Sequence, residues 1–429
     1  MPRQHAGSNG WLLLTTLGLV FALVWLTRSR PDEPHLHRAN PKAAHRLGAL
    51  VNQAKGAADT PSAPLAPDAA SSNSLRQRIV AVGDIHGDLP AVTSILRRAN
   101  LIDLKGQWIG GEDILVQTGD IVDRGPDTIA LYRFFQTLRA QAAQAGGAVH
   151  SLLGNHEMMN ELGDWRYVTK EDIASFGGER NRREAFLTGW IGREFRANYS
   201  ITERVPFLAE ASAAARFDPP LQHTAASFVH GGITPEYLSS LDPARDPIAE
   251  MNRIGRDLLF SLLDVPGGVP LSLPRSATPE QRHFWSEEGP MWNREWATSD
   301  EDEICDRVQK VCDQLDVRHL VMGHTPQFEG ILSRCDGKVL LIDTGISRAY
   351  GGAHSSLSIT YTLTPASELS LADALALELV SLDDPVPEAT LRSDKLRRTW
   401  VEVEEVEALY TKGRETERIG RWERVVERS

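Results

Sequence analysis

The sequence predicts an α/β fold, and two patterns along the chain carry that prediction. Short apolar runs at residues 79–82, 114–116 and 149–153 alternate with helical spacing such as Val92, Ile95, Leu96 and Ala99. A polar, glycine-rich cluster follows each run, and open α/β sheets bind ligands beyond their strand ends. Later strand candidates at 227–229, 319–322, 339–342 and 357–363 continue the pattern. The length of 429 residues allows two to three domains, or one large domain with appendages. With 41% hydrophobic and 24% charged residues, wholesale disorder, collagen-like structure and a many-span membrane protein are excluded. Lys plus Arg is 46 against Asp plus Glu 58, a net charge of −12, so no nucleic acid partner is expected. Cys305, Cys312 and Cys335 lack paired metal-ligand spacing, so neither a disulfide framework nor a structural zinc site is expected.

Residues 11–26 form an uncharged apolar run with Trp11 and Trp25 near its ends, suited to the two membrane interfaces. No small-x-small cleavage site follows, so residues 1–30 read as an uncleaved N-terminal transmembrane helix and single-pass anchor. Arg28, Arg30, Arg38 and Lys42 outweigh Arg3 and the amino terminus, which places the catalytic body on the cytosolic side. Residues 31–77, rich in Ala, Pro, Ser and Asn, read as a disordered linker. The folded body is expected at 78–382 and a charged, solvated helix or tail at 383–429.

Five clusters carry candidate chemistry. They are Gly83-Asp84-Ile85-His86-Gly87-Asp88, Gly119-Asp120-Ile121-Val122-Asp123-Arg124-Gly125, Gly154-Asn155-His156-Glu157, His230-Gly231-Gly232 and Gly323-His324-Thr325-Pro326. Carboxylate, imidazole and amide oxygen without thiolate suit manganese, iron or zinc. Alternation lets Asp84 and His86 point to one side, as two ligands of one ion must. Singly, His230 or His324 reads more often as a core histidine than as a ligand and Asp120 as a turn cap, but five clusters in order do not arise by chance.

The ordered set resembles the calcineurin-like metallophosphoesterases, and within them the phosphoprotein phosphatases, over about residues 79–350. Leu162-Gly163-Asp164-Trp165-Arg166-Tyr167-Val168 and Gly289-Pro290-Met291-Trp292-Asn293-Arg294 resemble the Shewanella-like protein phosphatases. The resemblance implies a sandwich of mixed β-sheets flanked by helices, and a site with two divalent ions, manganese first and iron or zinc otherwise. It implies that Asp84 and His86 hold one ion, that Asn155, His230 and His324 hold the other, and that Asp120 bridges both. It further implies that Arg124 binds phosphate oxygens, and that His156, oriented by Asp123, protonates the leaving oxygen after attack by a bridging hydroxide. Arg294 is the candidate second clamp. Tyr350 is a third substrate-binding candidate, ending the stretch 343–350 that departs from the Ser-Ala-Pro-Asn-Tyr of eukaryotic relatives.

The expected substrate is a phosphoprotein, serine or threonine before tyrosine. Polyphosphatase or dinucleoside tetraphosphatase activity is the alternative, disfavoured by the retained Asp123-Arg124-Gly125. A pseudoenzyme scaffold should have lost a ligand, and none is missing. Connections of roughly 70 and 90 residues around the fourth motif are expected to form lids or specificity loops.

Overall fold

The first apolar run becomes strand β1 (Leu75–Val82), joined in parallel by β2 (Ile114–Gln117), β3 (Ala148–Leu152) and β4 (Tyr199–Ser200). On the other side of β1, β11 (Ser355–Pro365), β12 (Thr399–Tyr410) and β13 (Glu417–Arg428) add antiparallel neighbours, and β6 (Phe217–Asp218) closes the far edge. This computed structural model describes residues 74–208, 214, 216–218, 220–264, 272–381, 390 and 396–428. A second sheet has the order β5 (Thr202–Pro206), β7 (Ala225–Val229), β8 (His319–Met322), β10 (Val339–Leu341) and β9 (Leu332–Arg334), with β7, β8 and β10 parallel. Every residue of β7, β8 and β10 is buried, the signature of parallel strands covered on both faces.

Side-chain alternation builds the layers. Ile79, Ala81 and Val116 of the first sheet meet Phe228, Val321 and Leu340 of the second. Their neighbours Val80, Leu115, Leu320 and Leu341 join the helix-covered core instead. Helix α1 (Leu89–Arg98) starts where the Asp88 carboxylate accepts the Ala91 N–H at 3.1 Å, and it buries Val92, Ile95 and Leu96 as its spacing predicts. Helices α2 (Thr128–Gln144), α3 (Asn155–Glu161), α4 (Lys170–Ser175), α5 (Glu179–Leu187) and α6 (Trp190–Asn198) follow. Later come α7 (Pro247–Ser261), α8 (Glu295–Thr298) and α9 (Glu301–Leu315). The result is the expected sandwich of two mixed sheets flanked by helices.

Four expectations need correction or restriction. The charged segment after residue 382 is not a solvated tail: it supplies β12 and β13 to the main sheet, so the body extends past that boundary. Its alternating Val401-Glu402-Val403-Glu404 is a strand pattern in which the inward charges are paired. Glu402 meets Arg318 at 2.9 Å, and Glu404 meets His319 at 2.5 Å as well as Arg318. Cys305 of α9 and Cys335 beside β9 form a disulfide across 30 residues, leaving Cys312 as a buried free thiol. Their pairing depends on tertiary proximity that spacing does not encode. The long connections are not simple lids, since Phe186, Ile191, Phe195 and Leu258 within them are fully buried core residues. The anchor at 1–30 and residues 31–73 of the linker expected at 31–77 lie outside the described residues, while its last three residues, 75–77, are not linker but the start of β1; among the described residues no helix is long and apolar enough to cross a membrane.

Candidate active site

All five motifs emerge from the C-terminal ends of parallel strands. Asp84 and His86 follow β1, Asp120 to Arg124 follow β2, Asn155 and His156 follow β3, His230 follows β7, and His324 follows β8. The turns are tight enough that His86, Asp120, Asp123, Arg124 and His324 all adopt positive φ, between 45° and 72°. Gly323 and Gly154 are required by close approach, because a Cβ at either would collide with the carboxylate of Asp84 or Asp120. Glu157 ties two loops together, its carboxylate accepting the N–H groups of Gly154 (2.7 Å), Asp120 (2.8 Å) and Ile121 (2.9 Å) and the Tyr132 hydroxyl (3.0 Å).

Asp120 lies at the centre. One group of potential metal-holding atoms comprises His86, Asp120 and His156, and another comprises Asp120, His230 and His324. His86 donates Nδ1–H to the Val122 carbonyl (3.0 Å), His230 donates Nδ1–H to the Thr118 carbonyl (2.9 Å), and His324 donates Nε2–H to the Trp292 carbonyl (3.2 Å). Each of these bonds engages one ring nitrogen and leaves the other facing the site, the arrangement of a metal-ligating histidine. For His230 that nitrogen is 2.8 Å from the Asn155 amide oxygen and 3.4 Å from Asp120 Oδ2. An imidazole nitrogen, an amide oxygen and a carboxylate oxygen thus converge at one point, a set of atoms that could hold a cation.

The charges agree. Burial, with Asp343 and Asp120 nearby, raises the Asp84 carboxyl well above its usual range. Burial also pushes Asp343, which follows β10, up to about 6, and pulls the His86 imidazole down to about 4. Burial, then His230 and Arg294, holds His324 well below the ordinary imidazole value. Burial opposes the charge of Asp120, but His156, His230 and His86 outweigh it and hold that carboxyl low. Crowded buried carboxylates beside imidazoles form a donor set of oxygen and nitrogen that fits hard or borderline divalent metals. The groups that could hold them are His86, Asp120 and His156 on one side and Asp120, His230 and His324 on the other, with Asp84 Oδ2 3.9 Å from His86 Nε2 and Asn155 Oδ1 2.8 Å from His230 Nε2.

The calcineurin-like phosphoesterase family model matches residues 77–328, more than half of the chain. The chain belongs to the calcineurin-like phosphoesterases. An uncharacterised protein of Schizosaccharomyces pombe is 39% identical over 288 residues, 66% of this chain and 77% of the relative. Shewanella-like protein phosphatase 2 of Arabidopsis thaliana is 29% identical over 299 residues, 63% of this chain and 72% of the relative. Among solved structures, the cold-active protein-tyrosine phosphatase of a psychrophilic Shewanella species superposes with a TM-score of 0.51 at 26% identity, covering 66% and 77% of the two chains. The protein is therefore a hydrolase, a metallophosphoesterase similar to proteins named Shewanella-like protein phosphatase.

Around the metal-facing residues of this phosphoesterase, His156 donates Nδ1–H to Asp123 Oδ2 at 2.7 Å. Burial works against the imidazolium, but Asp120 and the Asp123 hydrogen bond and charge raise His156 above the ordinary value. The Arg124 guanidinium lies between two rings, 4.4 Å from the Tyr167 centroid and 4.8 Å from that of Tyr350. Arg294 reaches the opposite side, donating to the His324 carbonyl (2.7 Å) and the Thr325 hydroxyl (3.1 Å). Of the nearby tryptophans, Trp296 is fully buried, while Trp285 and Trp292 meet edge to face at 5.4 Å and Trp292 touches the His324 ring. Sequence reasoning did not single out Glu157, Tyr167, Asp343, Asn160 or Arg182. Asp343 obeys the same strand-end rule as the other carboxylates, which was its available signal.

Proposed function

We propose that this phosphoesterase hydrolyses phosphomonoesters on proteins, with two divalent ions sharing Asp120. The observation that carries the reading is the convergence of lone-pair donors on Asp120 from two sides, His86 on one and His230 with His324 on the other. Bound there, two divalent ions, manganese first, would acidify a water and neutralise phosphate charge. Arg124, steadied between Tyr167 and Tyr350, offers a fork to phosphate oxygens without having to be ordered on binding. Arg294 grips from the other side. His156 gives its Nε2 proton to the leaving ester oxygen while Asp123 holds the Nδ1–H. A built acid matters most for the poor alkoxide leaving groups of serine and threonine, and this supports phosphoserine and phosphothreonine as substrates.

A second reading, phosphotyrosine, draws support from the name of the Shewanella structure and from the Tyr167 and Tyr350 rings beside Arg124. Metal-supplemented turnover of phosphoserine, phosphothreonine and phosphotyrosine peptides beside diadenosine tetraphosphate and polyphosphate decides between them. A kcat/KM for either polyphosphate substrate well above every phosphopeptide overturns the protein-phosphatase reading. Arg124→Ala and Arg294→Ala should each lower phosphopeptide turnover about 10- to 100-fold with metal content retained. The membrane anchor at residues 1–30, with the body cytosolic, rests on the apolar run and its flanking charges. Release of the full chain by alkaline carbonate overturns it.

A further inference from the structure

Behind the His156–Asp123 pair lies a buried chain of polar groups that the proposed chemistry does not use. Arg182 of α5 is completely buried, as are Asp123 and Asp172, and Asn160 of α3 is 2% exposed. Its Nη1 donates to the Asn160 Oδ1, its Nε donates to Asp172 Oδ2 at 2.9 Å, and its Nη2 stands 3.6 Å from Asp123 Oδ1. Asn160 Nδ2 in turn donates to Asp123 Oδ1 at 3.0 Å and to the His156 carbonyl at 2.8 Å. The rings of Phe186 (4.7 Å) and Trp165 (5.1 Å) enclose the guanidinium.

The donor inventory makes this chain directional. A guanidinium has only donors, so the Asn160 amide must turn its oxygen toward Arg182. Its NH2 then faces two groups that only accept, the Asp123 carboxylate and the His156 carbonyl. Asp123 Oδ1 is thereby occupied, which leaves Oδ2 for the Nδ1–H of His156 and turns Nε2 toward Asp120, at 3.7 Å. Asp172 balances the Arg182 charge, which would otherwise be buried uncompensated. A buried ion pair meant only for cohesion would need neither the amide relay nor the approach to Asp123.

We propose that Arg182 and Asn160 are positioning residues for the proton donor, fixing the Asp123 carboxylate so that it holds the His156 Nδ1–H and keeps Nε2 aimed at the leaving oxygen. The inference rests on the reading of His156 as that donor. The test is a leaving-group series on the metal-loaded full chain, phenyl phosphate against 2,4-dinitrophenyl phosphate, for Arg182→Met, Arg182→Lys, Asn160→Ser and His156→Asn. Arg182→Met should lower kcat about 10²-fold on phenyl phosphate and within about threefold on the dinitrophenyl ester, with KM and metal content unchanged. Arg182→Lys should recover part of the loss, and Arg182→Met should add nothing in a His156→Asn background. Asn160→Ser leaves the Arg182–Asp172 pair intact, so it carries the same test if Arg182→Met does not fold. In metal-free protein the hydrogen-bonded His156 Nδ1 proton, read by NMR, should shift or disappear in Asn160→Ser. Equal losses on both esters, or additive losses with His156→Asn, overturn the positioning role while His156 stands. If His156→Asn itself loses equally on both esters, the donor assignment falls and the inference with it.

Discussion

Two buried clusters of carboxylates and imidazoles occupy this molecule, and they solve the same problem in opposite ways. At the strand ends, burial with Asp343 and Asp120 nearby raises Asp84, and His230 Nε2 stands 2.8 Å from the Asn155 amide oxygen and 3.4 Å from Asp120 Oδ2. Inside the sheet formed by β11 to β13, Glu402 and Glu404 are equally buried, yet each is matched by Arg318, with His319 on Glu404 and Arg424 on Glu402. There burial opposes the charge, and Arg318 with Arg424 for Glu402, or His319 with Arg318 for Glu404, outweighs it and lowers both carboxyls. Burial of ionisable groups alone therefore does not mark a functional site. The contrast is one of partners: among the described residues Asp84 and Asp120 meet histidines at ion-pair distance, whereas Glu402 and Glu404 each meet an arginine.

Breaking the strand-end cluster should have the largest effect. Asp120→Asn should cost at least about 10³ in turnover, and elemental analysis should find fewer than two ions per chain. Retention of both ions with near-normal turnover would falsify the central position given to Asp120. His156→Asn should lower turnover by about 10² to 10⁴ with both ions retained, and loss of an ion would make it a ligand instead.

Stability measurements sharpen the contrast, because the two clusters should respond with opposite sign. Glu404→Gln strips a paired charge and should destabilise the fold by about 3 kcal/mol at pH 7, leaving turnover per folded molecule unchanged. Its folded-state carboxyl is lowered, so the stability it contributes is present above the unfolded value of about 4.5 and fades as pH falls through the folded one. The Asp343 carboxyl is raised from 3.8 to about 6, so in metal-free protein its ionisation costs stability as pH rises across that window. Metal-free Asp343→Asn should therefore be more stable than the parent at pH 7, by about 1 to 3 kcal/mol, and equal to it below about pH 4. Denaturant midpoints across pH measure both. A destabilised Asp343→Asn at neutral pH would mean that this carboxylate is matched after all.

What the sequence disclosed follows the same division. The candidate ligands were legible because each sits in a short glycine-flanked string directly after a strand, where local pattern and final position coincide. Glu402 and Glu404 were not, since their partner Arg318 lies 84 and 86 residues away and a run of charge looks solvated until that partner is in view. Arg182 was hidden for the same reason: in a segment reading Glu179-Arg180-Asn181-Arg182-Arg183-Glu184, nothing local separates the one arginine that turns inward. The Cys305–Cys335 bond and the Tyr167 wall beside Arg124 are likewise products of packing between distant segments.

The Glu157 carboxylate has a mechanical consequence. By taking N–H groups from the loop after β2 and from the start of α3, it makes those two segments one rigid part, and the His156 N–H bound to Asp120 Oδ1 at 2.9 Å adds a second strut. The spacing between Asp120 and the His156 ring is thus set when the chain folds and does not wait for ions or phosphate.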